Sequence, residues 1–446
     1  MAVKPVLLWS DALLFVLLSL VFAGAWWSSR SEPLRAQWRK VGRSRVGMAS
    51  ATVLAAFVLV GVVDSIHYRA ALSAKQGQAV SYGVEVLSLL DAGLMPLKTQ
   101  TEKTYSAPLA TRLFSKEPIP GNEGERDYPR LKYGGVHLGS DEAGQGRDLA
   151  LRIALGVLGG VAVWAVSAWG IRRSTRGALA WNAAIWTLLV LCLTAGVLTA
   201  LASGYHVFGT DKVGQDVLYL TLKSVRTGLL IGTLTTLVLL PMAVLLGILA
   251  GYAGGWIDDG IQHIYTTLNS IPGVLLIAAA VLMMQVVIDT HPDWFSTAAE
   301  RSDARLLALC LILGMTSWTG LARLLRGETL KLRELEFVQA AQAFGVSRLA
   351  VMLRHILPNL MHIVVISLVM DFSGLVLAEA VLSYVGIGVD PSTISFGTMI
   401  NAARMELARE PMVWWSLAAA FVFMFALVLA ANLFADALRD AFDPKS

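Results

Sequence analysis

The chain has 446 residues, of which 56% are hydrophobic and only 15% are charged, and its mean hydropathy is +0.62. A soluble protein of this length could not bury so much apolar surface, so the composition excludes that class and predicts an all-α, polytopic membrane protein. The formal net charge is only +4, and the basic residues cluster beside apolar segments, which indicates membrane orientation rather than nucleic-acid binding.

The first two predicted spans lie on either side of a basic segment. Residues 7–27 form an apolar run, and the positive charges that follow it place residues 28–45 in the cytoplasm, because cytoplasmic loops carry an excess of Lys and Arg. A cleaved signal peptide is the alternative for this run, since it also has a short apolar core after a basic start. We interpret residues 1–45 as a retained anchor helix with a basic cytoplasmic loop, and residues 46–64 as the second span.

An extracytoplasmic region and two further spans come next. Residues 65–148 are mixed in charge and rich in turn residues, and the alternation of the neighbouring spans places them on the outer side. Residues 149–202 contain two apolar runs on either side of a basic turn that includes Arg173 and Arg176. We interpret these runs as two additional spans joined by a cytoplasmic turn.

The core domain is predicted to cover residues 203–446. Pro272 interrupts its second apolar run, where a proline should kink or break the helix because it lacks a backbone N–H. Nine spans result for the whole chain, each near the ~20 residues needed to cross the hydrocarbon core. The predicted spans of the core are 225–252, 264–288, 304–325, 359–388 and 412–435.

A polar segment between two of these spans, residues 326–358, has the pattern of a helix–turn–helix. Its first helix is predicted to present one face at steps of three and four residues. Gly345 is expected to cap that helix, and Ser347 to cap a second short helix that Pro358 ends. A protruding helix pair with small residues on one stripe is typical of an element that docks on another protein. The residues of the predicted face are Phe337, Ala340, Ala341 and Phe344.

The same segment resembles the cytoplasmic EAA loop of permeases of ABC importers. Gln339, Ala340 and Ala341 are followed by three residues, Gly345, nine residues, and then a sequence ending in Leu357 and Pro358. Gln339 stands where that family usually has Glu, and Glu336 is a nearby acid. Further resemblances are GTDKVGQD at 209–216, GYAGGWID at 251–258 and LAEAVLSYVGIGVDP at 377–391. Together they resemble the C-type inner-membrane permease subunit of dipeptide and oligopeptide importers.

This resemblance implies a type I ABC-importer permease core, here with extra N-terminal spans and an extracytoplasmic insertion. It implies ATP-driven, binding-protein-dependent import of peptides by alternating access, in the cell's inner membrane. The implied partners are a second permease subunit in a heterodimer, two ATP-binding subunits and an extracytoplasmic substrate-binding protein. The segment that docks on the ATPases would comprise Glu336, Phe337, Gln339, Ala340, Ala341, Phe344, Gly345 and Pro358.

Other candidate sites are few. The sequence has no phosphate-binding loop of the form G-x-x-x-x-G-K-[ST], and its histidines lack metal-ligand spacing, so we predict no catalytic site, cofactor or metal. Cys192 and Cys310 lie in apolar runs and are interpreted as packing residues. Ionisable groups within spans are functional candidates because their burial is expensive. The residues predicted for the translocation path are Asp371, Ser367, Glu379 and Asn269.

Two alternatives remain open at this level. The chain could be a secondary transporter driven by an ion gradient through Asp371 and Glu379, although such folds usually carry two related halves. It could also be part of the same ABC machinery with another cargo, such as nickel or opines. For Asp371, the sequence also leaves open whether the carboxylate faces the path or is a polar anchor to a neighbouring helix.

Overall fold

The computed structural model describes residues 3–30, 32–71, 82–118, 126–139, 144–174, 179–295 and 297–442. Arg176 of the predicted basic turn therefore lies outside the described residues. The chain forms two compact units, each assembled from three stretches of sequence. Unit 1 comprises Met1–Leu7, Gly42–Gly228 and Thr393–Ala430, and unit 2 comprises Leu8–Val41, Leu229–Ser392 and Ala431–Ser446.

Helices make up nearly all of the regular structure that is described. The first seven are α1 Trp9–Arg30, α2 Glu32–Arg43, α3 Arg45–Asp64, α4 Leu89–Gly93, α5 Met95–Thr99, α6 Gln145–Ser174 and α7 Trp181–Ala202. The next six are α8 Val217–Ala253, α9 Gly255–Ser270, α10 Gly273–Thr290, α11 Ala298–Ser317, α12 Thr319–Leu332 and α13 Glu336–Ala343. The last four are α14 Arg348–Val351, α15 Leu357–Tyr384, α16 Phe396–Arg404 and α17 Trp415–Phe442.

Nine helical segments in the described ranges are long and apolar enough to cross a membrane, which confirms the predicted number. The first four are α1, α3, α6 and α7, and the last is α17. In the core, Pro272 breaks the predicted span 264–288 into α9 and α10, as expected for a proline. The remaining spans are α8, α10, the α11–α12 pair and the continuous segment Arg348–Tyr384.

Five short strands, which the sequence did not predict, accompany the helices. Strands β1 (Val3–Val6), β2 (His67–Ala70) and β3 (Leu87–Ser88) form an antiparallel sheet in that order. Val3 pairs with Ala70 and Val6 pairs with His67. Strands β4 (Glu117–Pro118) and β5 (Arg126–Asp127) form a separate antiparallel pair. The β1–β2 pair therefore joins the residues before α1 to the residues after α3 in the chain.

Unit 1 contains α6 and α7, which correspond to the two predicted additional spans, and the region predicted to be extracytoplasmic. Helices α6 and α7 form an antiparallel hairpin in which a Cβ added at Gly156 would lie 2.7 Å from the carbonyl oxygen of Gly196. The end of α3 is tied to α8 by Lys223, whose Nζ lies 2.6 Å from Asp64 Oδ1 and 3.2 Å from Asp91 Oδ1. Such a paired arrangement compensates the burial of these charges.

Unit 2 contains the predicted docking segment and the polar residues of the core spans. One apolar cluster joins α8, α9, α12, α13 and α15, and includes Leu325, Val338 and Ile356. In a second apolar cluster, Leu14 of α1 packs with residues of α8, α10 and α11. The backbone N–H of Ser10 also donates to Asp303 Oδ2 at 3.1 Å. These contacts support the interpretation of α1 as a retained helix, which stays a prediction.

Candidate functional site

The predicted docking segment begins with α13, whose end is set by Gly345. This glycine has a φ of +78°, a left-handed conformation that side-chain-bearing residues rarely adopt. Its N–H donates to the carbonyl of Gln342 at 2.9 Å, and the N–H of Val346 donates to the carbonyl of Ala341 at 3.1 Å. This pair of bonds is the Schellman motif, which satisfies the last carbonyls of the helix. The prediction that Gly345 caps the helix is confirmed.

The two faces of α13 differ in exposure. Val338 and Ala341 are buried in the apolar cluster of unit 2, whereas Phe337, Ala340 and Phe344 are exposed. Ala341 was expected on the outward face, and the structure places it on the inner one, because it lies one turn after Val338 and both face the core. The outward stripe therefore consists of Phe337, Ala340 and Phe344, which follow one another at steps of three and four residues.

The second half of the segment differs from its prediction at Pro358. Ser347 caps α14 as expected, since its hydroxyl accepts from the N–H of Ala350 at 3.4 Å. Helix α14 does not end at the proline, however. A π-helical turn, Met352–Ile356, continues it into α15, and Pro358 lies in the first turn of α15. A proline is tolerated in a first turn, where its missing N–H has no helical partner to lose.

Polar contacts fix this segment to the adjoining helices. Arg326 of α12 donates two hydrogen bonds of 2.6 Å each to the carboxylate of Asp258 in α9. These bonds lower the pKa of Asp258 below its ordinary value. Arg333 donates to the carbonyl of Gly251 at 3.3 Å, and the amide of Gln342 donates to the hydroxyl of Tyr252 at 3.2 Å. The motif at 251–258 therefore supports α12 and α13 directly.

Close approach of two helices explains the glycine at position 251. A Cβ added there would lie 2.7 Å from the carbonyl oxygen of Arg326 and 2.6 Å from the Cβ of Thr329. Both distances are shorter than ordinary van der Waals contact, so a larger residue would push the end of α8 away from α12. The support of the docking segment thus depends on backbone packing as well as on ion pairs.

An exposed apolar surface results on the outer side of the helix pair. Phe344 is 87% exposed, and Phe337, Leu349 and Leu353 of the same segment are also exposed. We call these four residues and Ala340 the coupling surface. Gln339 and Glu336 are exposed beside it, and the Gln339 amide donates to the carbonyl of Glu334 at 3.2 Å. Exposed apolar clusters with a polar surround are typical of protein–protein contact sites.

The residues predicted for the translocation path are only partly brought together. Asp371, Ser367 and Glu379 share α15, and Ser367 lies one turn before Asp371. Glu379 is 1% exposed and accepts from the hydroxyl of Ser383 at 2.7 Å. Asp371 is half-buried, and the described residues offer its carboxylate no hydrogen bond or ion pair. Asn269 is exposed at the end of α9 and accepts from Thr319 of α12, so it is not part of the α15 group.

A buried charge cluster in unit 1 was missed at the sequence level. His206 Nδ1 lies 2.8 Å from Asp216 Oδ2, and its Nε2 lies 3.4 Å from Glu102 Oε1. Glu102 accepts from the N–H groups of three successive residues, Lys132, Tyr133 and Gly134. We call Glu102, His206 and Asp216 the His206 cluster. Asp216 ends the motif at 209–216, which could have drawn attention to it, but Glu102 lies 104 residues from His206.

The electrostatics of the His206 cluster favour a protonated imidazole beside two carboxylates. Burial alone would lower the pKa of His206, but the hydrogen bonds and charges of Asp216 and Glu102 raise it to about 9. Burial would raise the pKa of Glu102, but its bonds from His206 and from three backbone N–H groups lower it to about 2. The cluster therefore ties Glu102 and the residues that donate to it to the segment that leads into α8.

Comparison with known proteins agrees with this arrangement. Residues 243–446 match the family described as binding-protein-dependent transport system inner membrane component, and this range contains the entire coupling surface. The chain is 33% identical over 241 residues to the oligopeptide transport system permease protein of Mycobacterium tuberculosis, which covers 54% of this chain and 76% of that protein.

Two further relatives are similar over a comparable range. The dipeptide transport system permease protein of Lactococcus lactis is 31% identical over 241 residues, which is 54% of this chain and 64% of that protein. The glutathione transport system permease protein of Pectobacterium atrosepticum is 33% identical over 245 residues, or 54% and 74%. With its nine apolar helical segments, the chain is a multi-pass membrane protein that belongs to the family of binding-protein-dependent transport system inner membrane components.

Proposed function

We propose that this protein is the membrane-spanning permease subunit of an ATP-driven, binding-protein-dependent importer of dipeptides or oligopeptides. The observation that carries the proposal is the coupling surface, an exposed apolar patch on a helix pair that is held rigidly to the core helices. The peptide cargo is inferred from relatives that are named as oligopeptide and dipeptide permeases. The chain has no nucleotide-binding loop, so ATP hydrolysis is assigned to separate subunits.

The coupling surface suits an ATPase partner because it can transmit force to the core. Phe344 is 87% exposed at the tip of α13 and would fill an apolar groove on the partner. The buried Val338 and the hydrogen bond from Gln342 to Tyr252 hold α13 against the core. Arg326 and the close approach at Gly251 hold α8, α9 and α12 together. The π-helical turn at Met352–Ile356 joins the segment to α15 without a loop. A displacement of the coupling surface would therefore move the core helices as one body, which alternating access requires.

The remaining partners follow from this mechanism. We infer a second permease subunit, which forms the other half of the path in a heterodimer, and two ATP-binding subunits, one for each docking segment. An extracytoplasmic binding protein would deliver the peptide. Asp371 is the group of this chain best suited to meet a peptide's ammonium group, since its carboxylate is ionisable and lies within a span. An ion-coupled mechanism is not proposed, because the family places this chain in a binding-protein-dependent system.

Co-purification tests the coupling surface. Phe344→Asp should remove the ATP-binding subunits from the purified complex, because a carboxylate would be desolvated in the apolar contact. We expect at least a ten-fold loss of co-purified ATPase, with unchanged membrane insertion of the permease. The matched control is Val213→Asp, which introduces the same charge at a residue that is 63% exposed in unit 1. Full retention of the ATPase by the Phe344 variant would overturn the proposal.

A further inference from the structure

Helix α2 combines a basic face with an apolar face and lies between two membrane-spanning helices. Six basic residues and one acidic residue occur between residues 30 and 45. Arg35 and Arg39, which are both exposed, follow each other at a step of four residues and therefore share one face of the helix. The described residues offer Arg39 no carboxylate partner, and Arg35 contacts only the carbonyl of Ser29.

Val41 and Trp38 fix α2 to the end of α17. Val41 is buried in a cluster with Leu438, Ala441 and Phe442. The ring of Trp38 meets the ring of Phe442 edge to face, with their centroids 5.9 Å apart. Val41 is two residues from Arg39, or about 200° around an α-helix. Val41 therefore points away from the arginines, and Trp38 lies between the packed side and the arginine side. The contacts of Val41 and Trp38 with α17 do not use Arg35 or Arg39.

The covalent neighbours of α2 restrict it to the membrane boundary. Helix α1 ends at Arg30 and α2 begins at Glu32, while α2 ends at Arg43 and α3 begins at Arg45. Both α1 and α3 are long and apolar enough to span the bilayer. A helix of 12 residues is about 18 Å long, so no part of α2 can lie far from the end of a spanning helix. Arg30 also stacks on Trp26, an aromatic residue at the level where spans usually end.

We propose that the Arg35–Arg39 face of α2 binds the headgroups of anionic phospholipids such as phosphatidylglycerol. The charges are complementary, because each phosphodiester carries one negative charge and the arginine fork donates two parallel hydrogen bonds to phosphate oxygens. Clusters of basic residues beside a spanning helix attract anionic lipids, by about a factor of five in affinity for each Lys or Arg near the surface. Bound lipid would hold the inner ends of α1 and α3 at a fixed depth.

A local probe in the full transporter complex tests this proposal. A fluorescent amino acid replaces Gln37, a half-buried residue of α2, and phosphatidylglycerol with a quenching nitroxide on its acyl chain is added to the complex in neutral detergent. Quenching should require a lower concentration of this lipid than of phosphatidylcholine with the same label. Arg35→Gln together with Arg39→Gln should weaken quenching by phosphatidylglycerol by about 25-fold, which is the product of two single-residue factors.

Three controls distinguish the loss of positive charge from a folding defect, and lipid binding from the binding of phosphate or of a protein. Arg35→Lys together with Arg39→Lys keeps both charges and should retain most of the binding, which a folding defect would not allow. Inorganic phosphate at the lipid's concentration should not reverse the quenching if a membrane surface is the ligand. Equal quenching in the Gln variant and the unmodified protein overturns the proposal. Loss of the ATPase subunits from the Gln variant with unchanged lipid quenching also overturns it, because the face would then bind protein.

Discussion

Asp371 and Glu379 are two carboxylates of one helix, α15, in different surroundings. Glu379 is buried and accepts a hydrogen bond from Ser383, whereas the described part of the chain gives the half-buried Asp371 no such partner. A buried hydrogen bond from a hydroxyl to a carboxylate generally stabilises a structure. Removing the carboxylate leaves the buried hydroxyl without an acceptor, which costs about 1–3 kcal/mol. A carboxylate without a protein partner inside a span is better placed to meet a cargo or water.

The two residues are therefore predicted to respond differently to neutral substitution. Asp371→Asn should lower peptide uptake by an order of magnitude while the assembled complex keeps its thermal stability. Glu379→Gln should lower the thermal stability of the complex, because the neutral amide oxygen is a weaker acceptor than the carboxylate for the hydroxyl of Ser383. Uptake by proteoliposomes and thermal unfolding of the same preparations measure the two effects. If Asp371→Asn reduces assembly and uptake equally, Asp371 is a packing residue.

At the scale of elements, the His206 cluster holds Glu102, in the region predicted to be extracytoplasmic, to the segment before α8. The pKa of His206 is raised from 6.5 to about 9 in the folded protein, so its contribution is complete below pH 6.5 and is lost as the pH rises to about 9. The pKa of Glu102 is lowered from 4.5 to about 2, so its contribution is present above pH 4.5 and is lost as the pH falls to about 2.

We predict that this region is most stable between about pH 4.5 and 6.5. Hydrogen exchange of the amides of Lys132, Tyr133 and Gly134, which donate to Glu102, measures this directly after correction for intrinsic exchange rates. Protection should decrease on both sides of the window. In His206→Gln the decrease above pH 6.5 should disappear, and the decrease at low pH should remain. A persistent alkaline decrease in that variant would assign it to another group.

Some elements were predictable because their determinants are local. The end of α13 depends on one glycine and the carbonyls of the preceding turn, so the spacing around Gly345 was sufficient to predict it. The continuation of the helix through Pro358 was not predictable from local sequence. A proline usually ends a helix, and only the π-helical turn before it allows α14 to continue into α15. That turn has no distinct sequence pattern.

At the scale of the whole molecule, the hydropathy of the chain was sufficient to predict nine spans, because each span is a long apolar run. The strands were not predictable, since β1 has four residues including a proline and its partner β2 is some sixty residues further on. The His206 cluster was not predictable either, because Glu102 and His206 are 104 residues apart in the sequence. Contacts between distant residues depend on tertiary structure, and hydropathy and local spacing carry no information about them.

The sidedness of the spans can be tested by cysteine labelling. The topology predicts that cysteines at Arg39 and Arg173 react with a membrane-impermeant reagent only from the cytoplasmic side, and that one at Tyr128 reacts from the outer side. Tyr128 is a suitable position because its side chain is 41% exposed and it lies in the region predicted to be extracytoplasmic. Intact cells and inverted vesicles provide the two accessible faces. The reverse pattern at Arg173 and Tyr128 would contradict the predicted orientation of the spans in the membrane.

The pairing of β1 with β2 has a consequence for how the chain is made. Residues 3–6 are synthesised before their hydrogen-bonding partner at 67–70, which becomes available only after α1, α2 and α3 have been synthesised. Until then the early strand has no partner, and translation at 5–20 residues per second makes this interval roughly 3–12 seconds. Closure of this small sheet would therefore mark the moment at which the first two crossings of the bilayer are complete.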